Sequence, residues 1–358
     1  MKPVARLLPA LFLTALASAG CAQVDPMVQR AERAISGEVV RRHVATLASD
    51  AFEGRSPGTA GEALTVQYLE REFLALGLQP LDGAGFRQPV PLVEITSMPA
   101  QARLGFSGGG RQVDLALGED MVINTRRFEP AARIDASPLV FVGHGIVAPE
   151  LGWDDYAGLD MRGKTALILV NEPGFSAGDP SLFRGRALTY YGRWTYKFEE
   201  AMRQGATAAL IVHQAGPASY GWETVRSGWT GPQFWPDAPD GNAGGLAIEG
   251  WITEARAREL LALAGADLDA LQREAATPGF RARPLDLRVT AGVRNLIRRA
   301  SSPNVAGYLP GGARRDEYVV YMAHWDHLGR AVGRAGDASF NGAVDNASGI
   351  AGLLAIAG

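Results

Sequence analysis

Three short apolar runs, with a helix-like segment between two of them, constrain the fold more than any other feature of this sequence. Residues 139–142, 166–170 and 208–212 consist entirely of Ala, Val, Leu, Ile and Phe. Runs that are apolar without alternation are typical of strands buried on both faces of a sheet. Residues 194–204 have helical spacing, and Gly205 suits the end of a helix. This order of strand, helix and strand predicts a compact α/β unit.

Other segments carry weaker signals of secondary structure. Apolar residues recur at helical spacing in three further segments, which are 36–47, 62–76 and 253–263. Residues 86–125 alternate in short runs around Gly108–Gly110, which predicts strands joined by a tight turn. Residues 214–250 combine three tryptophans with Gly and Pro, and we predict an extended loop there.

Composition and the first residues bear on location and partners. The net charge of −3 over 358 residues gives no basic surface for nucleic acid. A basic start followed by the apolar run Leu7–Ala17 is typical of an export signal, and the run is too short to span a bilayer. Ala-Gly before Cys21, the single cysteine, resembles a bacterial lipobox. We therefore expect an exported protein, either a periplasmic or outer-membrane lipoprotein anchored through lipidated Cys21 or a secreted soluble form.

The residues with the clearest chemistry lie near the last position of the sequence. The apolar run Tyr318–Ala323 predicts a buried strand, and His324 and Asp326 follow it directly. Asp345 lies on a glycine-flanked turn before an apolar, helix-like segment. An imidazole leaving a strand can bind a metal, a carboxylate two residues later can orient it, and a carboxylate on such a turn can bridge two metals. The alternative interpretation is two ordinary strand-end histidines and a helix cap.

Several stretches resemble one enzyme family. AHWDHLG followed by NGAVDNASGIAGLL closely resembles the co-catalytic di-zinc aminopeptidases, metallopeptidase family twenty-eight. LASDAFEGRSPGTAGEALTVQYLEREFLALGLQP resembles the N-terminal opening of that family. DMRGKTALILVNEPG and KFEEAMRQGATAALIVH resemble the protease-associated domain often inserted in it. The resemblance implies an α/β fold with a doubly wound, mostly parallel sheet and a smaller inserted α/β domain.

The resemblance also implies a domain order and a function. The segments would be a signal peptide (1–22), an N-terminal peptidase part (23–130), the inserted domain (131–290) and the start of the metal-binding core (291–358). The function would be a zinc-dependent aminopeptidase that removes N-terminal residues from peptides with two zinc ions. His324 would ligate one zinc, Asp345 would bridge both, and Asp326 would be the catalytic residue that steers His324. The general base and the remaining ligands would lie beyond Gly358, so the chain looks truncated at its C-terminus and its own activity stays open.

Two kinds of alternative remain open: other enzymes with this fold, and a protein without enzymatic activity. Carboxypeptidases and glutaminyl cyclases share the fold, and the chain could instead be a catalytically incomplete binding protein of the cell envelope. The sequence Gly174–Gly178 fits the serine-hydrolase pattern G-x-S-x-G, but the following Asp-Pro disfavours the helix that this motif must open. We interpret His43, His144 and His213 as ordinary core or surface residues. The tryptophans of residues 194–251 are more typical of packing than of a substrate pocket.

Overall fold

The computed structural model describes residues 25–331, 336 and 338–358. The predicted signal segment 1–22, including Cys21, lies outside the described residues. Among the helices of the described part, none combines the length and the apolar character needed to cross a bilayer.

Three α-helices open the described chain, and the strands and the other helices follow. The α-helices are α1 (Pro26–Ala34), α2 (Gly37–Leu47), α3 (Ala60–Ala75), α4 (Pro173–Ala177), α5 (Trp194–Arg203), α6 (Ala215–Ala218), α7 (Trp222–Trp229), α8 (Glu254–Leu263), α9 (Leu268–Ala275) and α10 (Ser348–Ala357). The strands are β1 (Gln79–Pro80), β2 (Arg87–Ser97), β3 (Arg103–Gly108), β4 (Arg111–Asp114), β5 (Met121–Asn124), β6 (Ala131–Phe141), β7 (Val147–Ala148), β8 (Trp153–Asp154), β9 (Thr165–Leu169), β10 (Ala208–His213), β11 (Pro232–Pro236), β12 (Ile248–Thr253), β13 (Arg283–Val305) and β14 (Gly307–Tyr308).

A ten-stranded mixed sheet organises the molecule. Its strands run in the order β11-β2-β13-β6-β9-β10-β12-β5, and the hairpin β3–β4 joins through β13. Strands β6, β9, β10 and β12 are parallel, and the pairs on either side of them are antiparallel. The 23-residue strand β13 pairs with β2, β3 and β6, so one continuous strand joins the antiparallel strands β2 and β3 to the parallel part of the sheet.

Both faces of the parallel strands are covered, which explains their unbroken apolar sequences. Alternate side chains of each strand enter two separate cores, as Leu210 and Ile211 on β10 do. One core packs against α8 and α9, and the other packs against α5 and α7. Complete burial of a Leu or Ile side chain contributes roughly 1.5–3 kcal/mol, so these strands dominate the stability of this region.

A smaller core supports the residues near position 345. It joins α2, α3 and α10 through buried residues that include Leu47, Leu69, Phe73, Ile350 and Leu354. This packing brings the N-terminal helices against the last helix of the described chain.

Most local predictions are confirmed. The α/β class holds, and the predicted helices correspond to α2, α3, α5 and α8. Ser36 and Thr253 cap α2 and α8 with their hydroxyl groups. Gly108–Gly110 turns the chain between β3 and β4. The domain boundaries stay predictions.

Three expectations differ from the structure. The sheet is parallel only at its centre, because the alternating strands β2, β3 and β13 add antiparallel neighbours. The segment 214–250 contains α6, α7 and β11 rather than an extended loop. The reason is that Val225, Trp222 and Trp229 pack onto the sheet from α7.

The predicted strand Tyr318–Ala323 is wrong for this structure. These residues pair with no strand of the described chain, and residues Tyr318–Met322 are 59–89% exposed. An apolar sequence favours a strand only where a neighbouring strand can accept its backbone hydrogen bonds.

Candidate metal site

The three predicted site residues lie together. His324 Nε2 is 3.1 Å from Asp345 Oδ1, and His324 Nδ1 is 3.2 Å from Asp326 Oδ1. The imidazole of His324 therefore lies between two carboxylates that are 21 or fewer residues from it in the sequence. All three side chains are partly exposed, so a small ligand could reach them from solvent.

A turn with an unusual path carries Asp345. Gly342 has a φ of 60°, and a Cβ atom there would lie 2.4 Å from Asp345 O and 2.6 Å from an Arg55 nitrogen. Only glycine fits such a close approach. Asn341 begins the turn, and its side-chain amide donates to Ala48 O and Asp50 Oδ1, both at 2.8 Å. The helix α10 then begins at Ser348, which agrees with the predicted apolar helix.

Arg55 contacts the backbone on both sides of the site, and no local sequence pattern indicated this role. Its side chain is fully buried. Nε donates to Trp325 O at 2.8 Å, Nη1 to Asn341 O at 2.7 Å, and Nη2 to Gly342 O at 2.9 Å. Nη1 also donates to Leu47 O. Burial lowers the pKa of Arg55, and the carboxylates of Asp326 and Asp345 oppose that shift.

His327 is the second imidazole near Asp345. Its Nδ1 atom is 3.5 Å from Asp345 Oδ2, and its side chain is largely buried. Burial lowers the pKa of His327, while the charge of Asp345 raises it and that of Arg55 lowers it further. The backbone N–H of His327 donates to Arg55 O at 3.3 Å. The arrangement keeps this histidine close to the pair formed by His324 and Asp345.

A cleft of about 1170 Å³ opens beside the site. Asp326 and His327 line the cleft, together with residues of the N-terminal loop, the antiparallel strands and the segment that holds α7 and β11. These lining residues include Ser56–Thr59, Glu94, Arg226–Gly228, Pro232–Phe234 and Arg298–Ala300. Glu94 and Arg298 form an ion pair at 2.6 Å. Such a cleft is large enough for a short peptide.

The donor geometry fits two ligands of one zinc ion. Two atoms bound to tetrahedral zinc at about 2.0–2.1 Å lie roughly 3.3 Å apart, close to the 3.1 Å between His324 Nε2 and Asp345 Oδ1. If Nδ1–H of His324 donates to Asp326, whose backbone oxygen is 3.1 Å away and whose Oδ1 is 3.2 Å away, then Nε2 presents its lone pair toward Asp345. Catalytic zinc has at least three protein ligands. Within residues 25–331, 336 and 338–358, no group of three or more His, Cys, Asp or Glu residues has a metal-binding arrangement.

The remaining histidines have other partners. His43 Nδ1 is 2.6 Å from the hydroxyl oxygen of Tyr68 in a buried pair. His213 Nε2 is 3.0 Å from Tyr220 O. These contacts agree with ordinary core histidines. Trp194, Trp229 and Trp251 pack against one another, with ring centroids 5.7–6.4 Å apart, which agrees with the predicted packing role.

The G-x-S-x-G segment also forms no nucleophile elbow. Ser176 lies inside the short helix α4, which ends at Ala177, rather than at a sharp turn, and no helix opens directly after it, in agreement with the expectation from the Asp-Pro sequence. Its hydroxyl is 3.3 Å from His144 Nε2. His144 is fully buried, and burial lowers its pKa to about 3. A histidine in that environment resists taking the proton of a serine.

Comparison with known proteins identifies the part of the chain that carries the site. Residues 304–358, which include all three predicted site residues, match the model of peptidase family M28. The match covers 55 of the 358 residues. We call residues 304–358 the M28 segment. The M28 segment begins within β13 and extends through α10.

Solved structures were also similar to the chain. They include an aminopeptidase from Aneurinibacillus sp. strain AM-1 (19% identity, 92% of this chain and 60% of that chain, TM-score 0.40). A peptidase M28 precursor from Shewanella amazonensis SB2B gave 17% identity, 90% and 60% coverage, and a TM-score of 0.42. BSAP, a zinc aminopeptidase from Bacillus subtilis, gave 17% identity, 90% and 57% coverage, and a TM-score of 0.34. The chain thus spans about 60% of the length of the first two. No curated protein matched.

Proposed function

We propose that this protein is an exported, zinc-dependent metallopeptidase of the aminopeptidase type, which removes N-terminal residues from peptides. The observation that carries the proposal is the position of His324 and Asp345 inside the M28 segment, with donor atoms 3.1 Å apart. The sequence match to a peptidase family and the distance between the two donor atoms support the same chemistry.

Each site residue has a specific role in this proposal. His324 Nε2 and Asp345 would hold zinc, and Asp326 would accept a hydrogen bond from His324 Nδ1–H and keep the ring oriented. When bound, zinc supplies a Lewis acid for the peptide carbonyl and for water. The cleft beside Asp326 and His327 would receive the peptide, because its walls combine backbone, apolar and charged groups.

Substitution of the two proposed ligands tests the metal site. We expect His324→Ala and Asp345→Asn to lower zinc content and to abolish zinc-dependent hydrolysis of leucine p-nitroanilide. Asp316→Asn is the matched control, because Asp316 is an exposed carboxylate of the M28 segment with no place in the site. Zinc content is measured by mass spectrometry after dialysis. Full activity after chelation, or unchanged zinc content in both variants, would contradict the proposal.

Blocked peptides separate the aminopeptidase from its relatives. We expect hydrolysis of a peptide with a free N-terminus and a blocked C-terminus, and no hydrolysis when the N-terminus is acetylated. Cleavage that requires a free C-terminus would instead indicate a carboxypeptidase. Cyclisation of an N-terminal glutamine would indicate a glutaminyl cyclase.

One observation favours a second candidate, a binding protein of the cell envelope. Only two predicted ligands converge in the described residues, and no larger metal-binding group occurs there. A binding protein of this kind would retain peptides in its cleft without turnover. Peptide binding measured by calorimetry, together with absence of hydrolysis in the presence of added zinc, would favour this candidate.

Export is a separate part of the proposal. It is supported by the basic and apolar pattern of residues 1–22 and by the lipobox-like sequence before Cys21. We expect the protein in the envelope fraction, and Cys21→Ala to release it from the membrane if the cysteine is lipidated. Recovery of the unprocessed chain from the cytoplasm would contradict export.

A further inference from the structure

We propose that Arg55 is the positioning residue of the candidate metal site: its guanidinium ties the segment that carries His324 and Asp326 to the turn that carries Asp345. The proposal deepens the proposed function, since the site that Arg55 positions is the candidate zinc site. The contacts themselves are independent of that function.

The side chain of Arg55 bridges the two segments through backbone oxygens. Nε reaches Trp325 O, between His324 and Asp326, at 2.8 Å. Nη1 and Nη2 reach the carbonyls that open the turn, Asn341 O at 2.7 Å and Gly342 O at 2.9 Å. One planar group therefore fixes the distance between the two chain segments whose side chains meet as His324 and Asp345.

The backbone around Arg55 reinforces the same connection. Gly54 O accepts a hydrogen bond from Gly329 N at 3.0 Å, and Arg55 O accepts one from His327 N at 3.3 Å. Glu53, Gly54 and Arg55 all have positive φ angles, of 49°, 67° and 53°. Consecutive left-handed residues are costly outside glycine and persist only where the surrounding structure demands them. Here the surrounding structure consists of the segment that carries His324 and Asp326 and the turn that carries Asp345, both of which hydrogen-bond to these residues.

The geometry requires an arginine. A guanidinium presents five N–H groups in a fixed plane, and Arg55 uses them to reach four carbonyl oxygens in three separate segments. A lysine has three donors on one atom and cannot span these positions. A glutamine has two N–H groups and adds an acceptor among carbonyl oxygens.

The charge of Arg55 also fits a role at this site. Among the described residues, all hydrogen bonds of its guanidinium go to carbonyl oxygens, and the carboxylates that act on it are those of Asp326 and Asp345. A buried cation is favourable only where nearby negative groups offset its loss of water. Arg55 thus holds the two carboxylate-bearing segments through both geometry and charge.

Hydrogen exchange of the metal-free protein tests the positioning directly. In Arg55→Lys, we expect the amides of His327, Gly329, Phe340 and Ala347 to exchange about tenfold faster or more, because each lies in the connected loops. Amides of β10 should keep their wild-type rates. Unchanged exchange at the four loop amides would overturn the proposal.

Two control variants separate positioning from general destabilisation. Arg126→Lys alters a mostly buried ion pair outside the hydrogen bonds of Arg55, where Arg126 Nε lies 2.7 Å from Glu249 Oε2, and it should leave the loop amides unchanged. Arg330→Lys alters a nearby exposed arginine whose closest carboxylate, Glu53, is 3.8 Å away. If either control accelerates the four loop amides as much as Arg55→Lys does, Arg55 has no special positioning role.

Metal binding supplies the second readout. We expect Arg55→Lys to bind Zn²⁺ about 10- to 100-fold more weakly than wild type, as for other groups that orient metal ligands, and to alter the visible absorption spectrum of bound Co²⁺. Wild-type affinity together with a wild-type Co²⁺ spectrum in Arg55→Lys would overturn the proposal. If wild type binds no zinc, the proposed function fails, and the exchange rates alone decide the role of Arg55.

Discussion

The contact between the N-terminal loop and the M28 segment makes Gly54→Ala a demanding test of the structure. Gly54 has a φ of 67°, and a Cβ atom there would lie 2.3 Å from Gly329 O and 2.6 Å from Phe340 O. Both oxygens belong to the backbone, so no side-chain rotation can relieve the collision. The loop must move away, and the hydrogen bond from Gly329 N to Gly54 O is then lost.

The expected loss of stability follows from separate physical effects. A left-handed alanine costs about 1–2 kcal/mol, and the lower entropy of the unfolded chain returns about 0.4–1 kcal/mol. Overpacking adds about 1–3 kcal/mol, and the lost hydrogen bond adds about 1 kcal/mol. We expect the free energy of unfolding to fall by roughly 2–5 kcal/mol in Gly54→Ala.

Gly77→Ala is the matched control for the backbone effect. Gly77 has a φ of 75°, and a Cβ atom there would meet nothing within 4 Å. This variant should lose at most about 1.5 kcal/mol. Urea unfolding followed by circular dichroism measures both variants. Equal losses in Gly54→Ala and Gly77→Ala would refute the close approach of the loop to Gly329 and Phe340.

Further predictions concern the sheet and its buried groups. Because burial lowers the pKa of His144 to about 3, the unfolded chain binds a proton below about pH 6.5 that the folded chain does not, and this histidine by itself contributes a fall in stability toward acid of about 1.4 kcal/mol per pH unit. His144→Gln should remove that fall between pH 6 and pH 4 in urea titrations; an unchanged slope would contradict the burial of a neutral imidazole. Leu210→Ala should cost about 2–5 kcal/mol, whereas Leu74→Ala, at a position 67% exposed, should cost far less by the same measurement. Ser176→Ala should leave hydrolysis of amide and ester substrates unchanged, and labelling of Ser176 by a fluorophosphonate would show instead that it is a nucleophile.

Local sequence patterns were sufficient for much of the secondary structure. The apolar runs at 166–170 and 208–212 predicted β9 and β10, because a strand covered on both faces admits few polar side chains. Ser36 and Thr253 predicted helix starts, because their hydroxyl groups can accept hydrogen bonds from the first free N–H groups of a helix. The segment 214–250 was harder, since its glycines and prolines obscured the helical spacing of α7.

The candidate site contains residues that local sequence patterns predict and one residue, Arg55, that they do not. His324, Asp326 and Asp345 were predictable from their residue types and spacing, and their mutual distances agree with a shared site, although their roles stay predictions. Arg55 was not predictable as part of it, because one arginine in a polar loop carries no periodic signal. Its carbonyl partners Trp325 and Gly342 are 270 and 287 positions away in the sequence.

The sequence by itself determined the α/β class, the starts of the principal helices, the apolar central strands and the residue types available for metal binding. These properties depend on local burial and hydrogen bonding, which leave a period or a cap in the sequence. The tertiary structure decided that β13 would join the parallel strands to antiparallel ones and that Tyr318–Ala323 would stay unpaired among the described strands. It also decided that Arg55 would lie behind His324 and Asp345, because such contacts depend on the path of the whole chain.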